Sequence, residues 1–219
     1  MDPRHRRLIA RRPAAAAAAL ALSVAPAPAF GWSVSVAPSG GVLLLDPALE
    51  NYRWDISARP LWGLAATASR GRAEAGFRVW RSGTTQATGI PGETFAPDVG
   101  LTVAEVIGGW SVARGAGIAL LASASAGMLH LGWSPDRATL DPFGVGSPVE
   151  VSFDPITEWT GGVGISARRG VAGGLGLALG VERSWFRLDT THRAGDEIVG
   201  RRETFGQWIV RAELTHRVL

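Results

Sequence analysis

The chain has no cysteine, no lysine and a single tyrosine among its 219 residues. The missing cysteines exclude disulfide scaffolds, thiol catalysis, iron–sulfur clusters and cysteine-ligated zinc. The missing lysines bear on charge. Arginine supplies all 22 basic residues against 19 acids. With so little titrating between histidine and arginine, that small excess lifts the isoelectric point to about 10.7. The excess is local. Arg4, Arg6, Arg7, Arg11 and Arg12 stand in the first 29 residues beside one acid, Asp2, and the remainder carries a net charge of −1. The basic label therefore belongs to a leader, and no nucleic-acid partner is expected. Beyond residue 30 the chain also lacks helical periodicity and any apolar run near the roughly 20 residues of a transmembrane helix.

Residues 1–29 read as a secretory signal peptide. Met1 to Arg12 is its basic region. Ala14 to Ala25 is its apolar region, too short to cross a bilayer core of ~30 Å. Ala27 and Ala29 provide small residues for cleavage after Ala29. The pairs Arg6-Arg7 and Arg11-Arg12 lack the preceding Ser and following Phe of a twin-arginine signal, so general secretion is expected. The mature domain is then 30–219.

What the mature chain does have is alternation with period 2, the mark of strands with two different faces. In 60–69, Trp62, Leu64, Ala66 and Ala68 share one parity. In 72–81, Arg72, Glu74, Gly76, Arg78 and Trp80 oppose Ala73, Ala75, Phe77 and Val79. The same pattern holds in 32–45, 99–113, 117–133, 155–167, 173–186 and 204–218, which makes eight strands. Each is long enough to cross a membrane at the ~9–11 residues that a tilted strand needs. Connections near 69–71, 114–116 and 168–172 are short. Those near 46–59, 82–98, 134–154 and 189–203 are long and rich in Pro, Gly, Thr and acids. Alternating short and long connections around an even strand number predict an all-β fold, an eight-stranded antiparallel up-and-down transmembrane barrel.

In this pattern the chain resembles the small outer-membrane β-barrels of the OmpA and OmpX kind, over all of Phe30 to Leu219. The resemblance implies both termini in the periplasm, longer loops at the cell surface, and contact with outer-membrane lipids, lipopolysaccharide and the barrel-assembly machinery. It also implies a final strand ending in an aromatic residue. Here the chain departs, ending Arg217-Val218-Leu219.

Alternation alone does not say which face is inside, since a soluble barrel and a membrane barrel are reversed in this respect. The apolar parities carry bare Leu, Val, Ile and Ala, whereas the opposite parities carry Ser, Gly, Thr and isolated charges. Tryptophans sit on the apolar parity near strand ends: Trp32 and Trp110 toward one rim, Trp62, Trp159, Trp185 and Trp208 toward the other. That distribution suits two interfacial girdles and puts the apolar face outward. The charged parity then lines a lumen. Arg78, Glu105, Glu158, Glu182, Arg211 and Glu213 are predicted to form one belt, with Arg78 near Glu105 and Arg211 near Glu182. The belt can serve as an ion path or as a salt-bridged plug. An eight-stranded barrel is barely wide enough for its own side chains, which favours the plug.

Chemistry-bearing motifs are scarce. His192 falls in a long connection, and His130 and His216 fall on the apolar parity near the rims. No HExxH or GxSxG occurs. His130-Leu131-Gly132 and His216-Arg217-Val218 lack the Ser of the His-x-Ser pair found in outer-membrane lipid A deacylases. The clusters Gly161-Gly162-Val163-Gly164 and Gly173-Gly174-Leu175-Gly176 are read as in-strand glycines of a tightly curved barrel, not as phosphate loops. Asp136, Asp141, Asp196 and Glu197 are read as solvated loop acids. No enzyme activity, cofactor or metal is expected. A monomeric barrel with a structural or surface-interaction role is the main functional expectation. The alternatives are a channel for small solutes or hydrophobic compounds and, less favoured, a lipid-modifying enzyme.

Overall fold

The computed structural model describes residues 31–88, 95–141, 148–194 and 197–218. The leader 1–29 and the acid Asp196 lie outside the described residues. The strands, in chain order, are β1 (Ser33–Leu44), β2 (Arg59–Arg70), β3 (Ala73–Thr85), β4 (Asp98–Gly115), β5 (Ile118–Ser134), β6 (Arg137–Leu140), β7 (Val149–Ser152), β8 (Ile156–Gly170), β9 (Leu175–Ala194) and β10 (Glu197–Arg217). Eight of them close a barrel in the order β1-β10-β9-β8-β5-β4-β3-β2, every pair antiparallel. The remaining pair, β6 and β7, is a small hairpin inserted between β5 and β8. Closure leaves no free sheet edge around the barrel wall, which in lipid would expose unpaired backbone groups.

Short turns gather at one rim together with the starts of β1 and the end of β10. Gly71 (φ 61°), Gly117 (φ 76°), Gly173 (φ 67°) and Gly174 (φ 80°) supply the left-handed backbone that these reversals need. Gly173 and Gly174 thus belong to a turn, not to a strand interior as the sequence suggested. A bulge between Ser111 and Ala113 shifts the β4–β5 register by one residue near this rim.

The opposite rim carries the long connections, and three of them differ from expectation, the third by holding the β6–β7 hairpin. The predicted fourth connection, 189–203, is mostly strand. β9 and β10 pair continuously from Leu175↔His216 to Ala194↔Glu197, well past the last partners of β8 at Phe186 and of β1 at Trp208. Thr190, Thr191 and Val199 are good strand formers, and the pairing carries the polar residues with it. The first connection folds back over the lumen as a short 3-10 helix, Pro47–Tyr52. Asp46 caps it by accepting from the Ala48 amide (3.0 Å), while its second oxygen accepts from the Gly206 amide of β10 (2.7 Å).

Exposure follows the alternation. Val42, Leu64, Phe77, Val106, Leu120, Val163, Leu177, Leu179 and Val210 are exposed on the outer wall. So large an apolar surface is the lipid-facing belt of a membrane-spanning barrel.

Candidate functional site: the lumen

The lumen has two tiers, and only one was anticipated. Nearest the short turns it is polar. Nearest the long connections it is a buried apolar core of Leu43, Leu61, Trp80, Val99, Leu101, Val103, Leu129, Leu131, Phe186, Phe205 and Ile209, with Gln207 enclosed among them, closed from above by Leu49 and Trp54 of the first connection. The sequence prediction of a polar inward parity therefore holds for the part of the barrel nearest the short turns. Toward the long connections both parities become apolar, as in Val42-Leu43-Leu44-Leu45. The inner one packs like the interior of a soluble protein.

The charge network lies at the boundary between the tiers. Arg78 on β3 donates through Nε to Glu105 on β4 (2.6 Å) and through Nη2 to Glu182 on β9 (2.6 Å). Because β3 and β9 stand four places apart in a ring of eight, this side chain crosses the lumen from wall to wall. Arg211 on β10 donates through Nη1 to Glu182 (2.7 Å) and through Nε to Glu213 (2.8 Å). Trp80 Nε1 donates to Glu105 (3.0 Å), and Ser125 Oγ donates to Glu182 (2.9 Å). Arg78 is 1% exposed, and Glu105 and Glu182 are each 3% exposed. Such charges persist in a buried interior only when paired and hydrogen-bonded, and each of these is in an ion pair, though Arg78 Nη1 has no partner among the described residues.

Glycines make the room. A Cβ on Gly127 would lie 2.1 Å from the Ala104 carbonyl and 2.6 Å from Glu105 Cβ, and one on Gly162 would lie 2.7 Å from a Glu182 oxygen. Two glycines of the Gly161–Gly164 cluster, Gly162 and Gly164, are thereby explained by the Glu182 side chain they accommodate; Gly161 faces outward, with only the Ser125 carbonyl 3.5 Å from where its Cβ would stand.

Glu158 is a correction. It stands near the long-connection end of β8, where it bonds to Arg202 and not to the belt. Its strand runs twelve residues onward to Gly170, so its depth differs from that of Glu182, which lies near Gly164 on the same strand pair. The network holds two cations and three carboxylates. Below it, a second ion pair, Arg168 with Glu74, spans the polar tier. That tier encloses a cavity of about 180 Å³ lined by Ser33, Ser35, Thr67, Ser123, Ser166 and Thr215 among others. The Glu74–Arg168 pair and the bond from Trp80 were not foreseen. Glu74 and Trp80 share the Arg78 parity, which is the signal that placed them within reach.

The six tryptophans assigned to girdles all face outward: Trp32, Trp62, Trp110, Trp159, Trp185 and Trp208. At the long-connection side, Arg81 lies over Trp62 (5.8 Å) and Arg183 over Trp208 (5.1 Å). These cations sit where an indole meets the polar boundary. Above the apolar tier, Tyr52 packs edge-on against Phe205 and donates to Glu203. Burial, aided by that carboxylate, holds its phenol above the usual value. A cavity of about 170 Å³ opens here between Tyr52, Trp54, Trp133, Leu131 and Phe205.

No protein-family model and no curated protein matches the chain. Solved structures similar to it are small barrels. One is a solid-state NMR structure of the outer membrane protein AlkL in lipid bilayers (13% identity, 88% of this chain and 93% of that one, TM-score 0.49). Another is the neisserial surface protein NspA (12% identity, 85% and 96%, TM-score 0.48). A third is Ail, the attachment invasion locus protein of Yersinia pestis, in complex with the heparin analogue sucrose octasulfate (12% identity, 84% and 97%, TM-score 0.40).

Proposed function

We propose that the chain is an outer-membrane barrel with a sealed lumen, whose work is done at the long-connection rim in contact with lipopolysaccharide or another cell surface. The observation that carries this is the pair of seals in series, the Arg78–Glu182 crossing and the apolar core above it, which leaves the rim as the accessible surface. In this reading residues 1–29 are removed on export, the short turns face the periplasm, and no reaction is assigned. The absence of cysteine makes the test clean. A single cysteine at Ser57, on the first connection, should react with an impermeant maleimide on intact cells, and one at Ala172, in a short turn, only after permeabilisation. The barrel should fractionate with outer membrane, and replacing the β6–β7 hairpin by a short turn should lower cell adherence or lipopolysaccharide binding. A soluble pool, or the reverse labelling pattern, defeats the proposal.

A second reading is favoured by the cavity among Tyr52, Trp54 and Trp133, which gives an apolar compound a place to dwell above the apolar core. Under it the barrel passes hydrophobic compounds. Faster uptake of a hydrophobic dye by cells carrying the protein, lost on Trp54→Ala, would favour it.

A further inference from the structure

Arginines gather at the short-turn rim. Arg70, Arg72, Arg114, Arg168, Arg169 and Arg217 all lie there, and among the described residues the acids nearest to them, Glu74 and Glu213, are already paired, with Arg168 and Arg211. The opposite rim mixes both signs. Arg114 is held over the neighbouring hairpin by bonds to the Gly71 carbonyl (2.6 Å) and to Ser111 Oγ (2.9 Å).

The cations are interleaved with apolar surface. Arg169 pairs across the sheet with Ile118 on one side and Leu177 on the other, and both neighbours are exposed on the outer wall. Beside it, where the outer wall meets the mouth of the lumen, a groove of about 340 Å³ is lined by Arg169, Val171, Leu175 and Leu177 from the outer parity and by Arg168 and Arg217 from the inner one. A ligand for this surface must be anionic at one end and apolar at the other. Guanidinium groups suit phosphate, which they grip with two parallel donors.

We propose that this groove holds an anionic phospholipid, its phosphate on Arg169 and Arg217 and its acyl chains along Leu175 and Leu177. The site rests on the membrane reading above. It differs from ordinary lipid solvation in selecting charge, each basic residue near an anionic headgroup being worth about a fivefold change in affinity.

The test is native mass spectrometry of the purified full barrel in detergent, titrated with phosphatidylglycerol or with phosphatidylethanolamine of the same chains. The wild type should retain phosphatidylglycerol preferentially, with a preference that weakens as salt rises. Arg169→Gln with Arg217→Gln should lower phosphatidylglycerol binding about 25-fold, the product of two such factors. Arg169→Lys with Arg217→Lys should keep most of it, and Arg137→Gln at the other rim should leave it unchanged. Equal binding of the two lipids overturns the site, as does displacement by inorganic phosphate at lipid-like concentration. Binding to peptidoglycan sacculi without lipid preference overturns it in favour of a polymer. A heat-modifiable gel band in every variant shows the barrel intact, so a failure here is distinguishable from failure of the membrane reading, which shows instead as loss of outer-membrane fractionation.

Discussion

Arg78→Ala removes the side chain that ties opposite walls of the barrel. In the wild type its guanidinium satisfies Glu105 and shares Glu182 with Arg211. After truncation Glu182 keeps Arg211 and Ser125, while Glu105 keeps the Trp80 indole alone. A carboxylate 3% exposed is then left without a cation. Breaking a buried pair in this way costs ~3–5 kcal/mol, most of it the penalty of the abandoned charge. The companion substitution separates that penalty from the intrinsic worth of the pair. Arg78→Met with Glu105→Leu removes both partners, leaves Glu182 on Arg211, and should recover most of the loss. Urea unfolding of the barrel in lipid vesicles reads both. Arg137→Ala is the control, since its contact with Glu150 is 4.0 Å long with both side chains about 70% exposed, and exposed pairs are worth ~0–1 kcal/mol. If Arg78→Ala and Arg137→Ala cost the same within 1 kcal/mol, or if the double variant is worse than the single, the network is not what holds the walls together.

Two further expectations concern faces and space. Leu179→Arg, on the outer wall where Leu179 is 67% exposed, should cost ~2–4 kcal/mol in vesicles, whereas Ser123→Arg, beside the polar cavity, should cost clearly less; equal tolerance would mean that inside and outside are exchanged. Gly127→Ala should cost ~1–3 kcal/mol or block folding, because its methyl would meet the Ala104 backbone. Gly108→Ala, with nothing within 4 Å, should be neutral in the same unfolding assay. Similar losses in the two would refute the close-packing explanation of the inward glycines.

The strands were legible because a barrel wall imposes period 2 on every segment, and one-residue slips would turn Leu177 or Val163 into the lumen. Pairings between adjacent strands, such as Arg78 with Glu105, follow from that period once strand order is known. The contact of Arg78 with Glu182 was not legible, since it depends on the diameter of the closed ring and not on neighbouring register. The apolar tier left a signal that alternation-seeking overlooks: runs such as Val42–Leu45 and Trp185-Phe186 where both faces are apolar. Reading the outer parity alone hides the inner one. The extension of β9 and β10 was masked by composition, because a ribbon beyond the membrane carries Thr, Arg and acids as a loop does. Glu158 was misplaced for a simpler reason. Strand counting from an assumed rim fixes parity well and depth poorly when strands tilt and differ in length from 12 to 21 residues.

Two seals in series are the core of the functional proposal, and planar-bilayer recording of the wild type beside Arg78→Ala addresses both. With the charge crossing removed, the core of Leu43, Leu101, Leu131, Phe186 and Phe205 still closes the lumen. Neither protein should then show steady single-channel current. Stable open steps in the wild type, altered in size or gating by Arg78→Ala, would contradict a sealed lumen and make the barrel a channel.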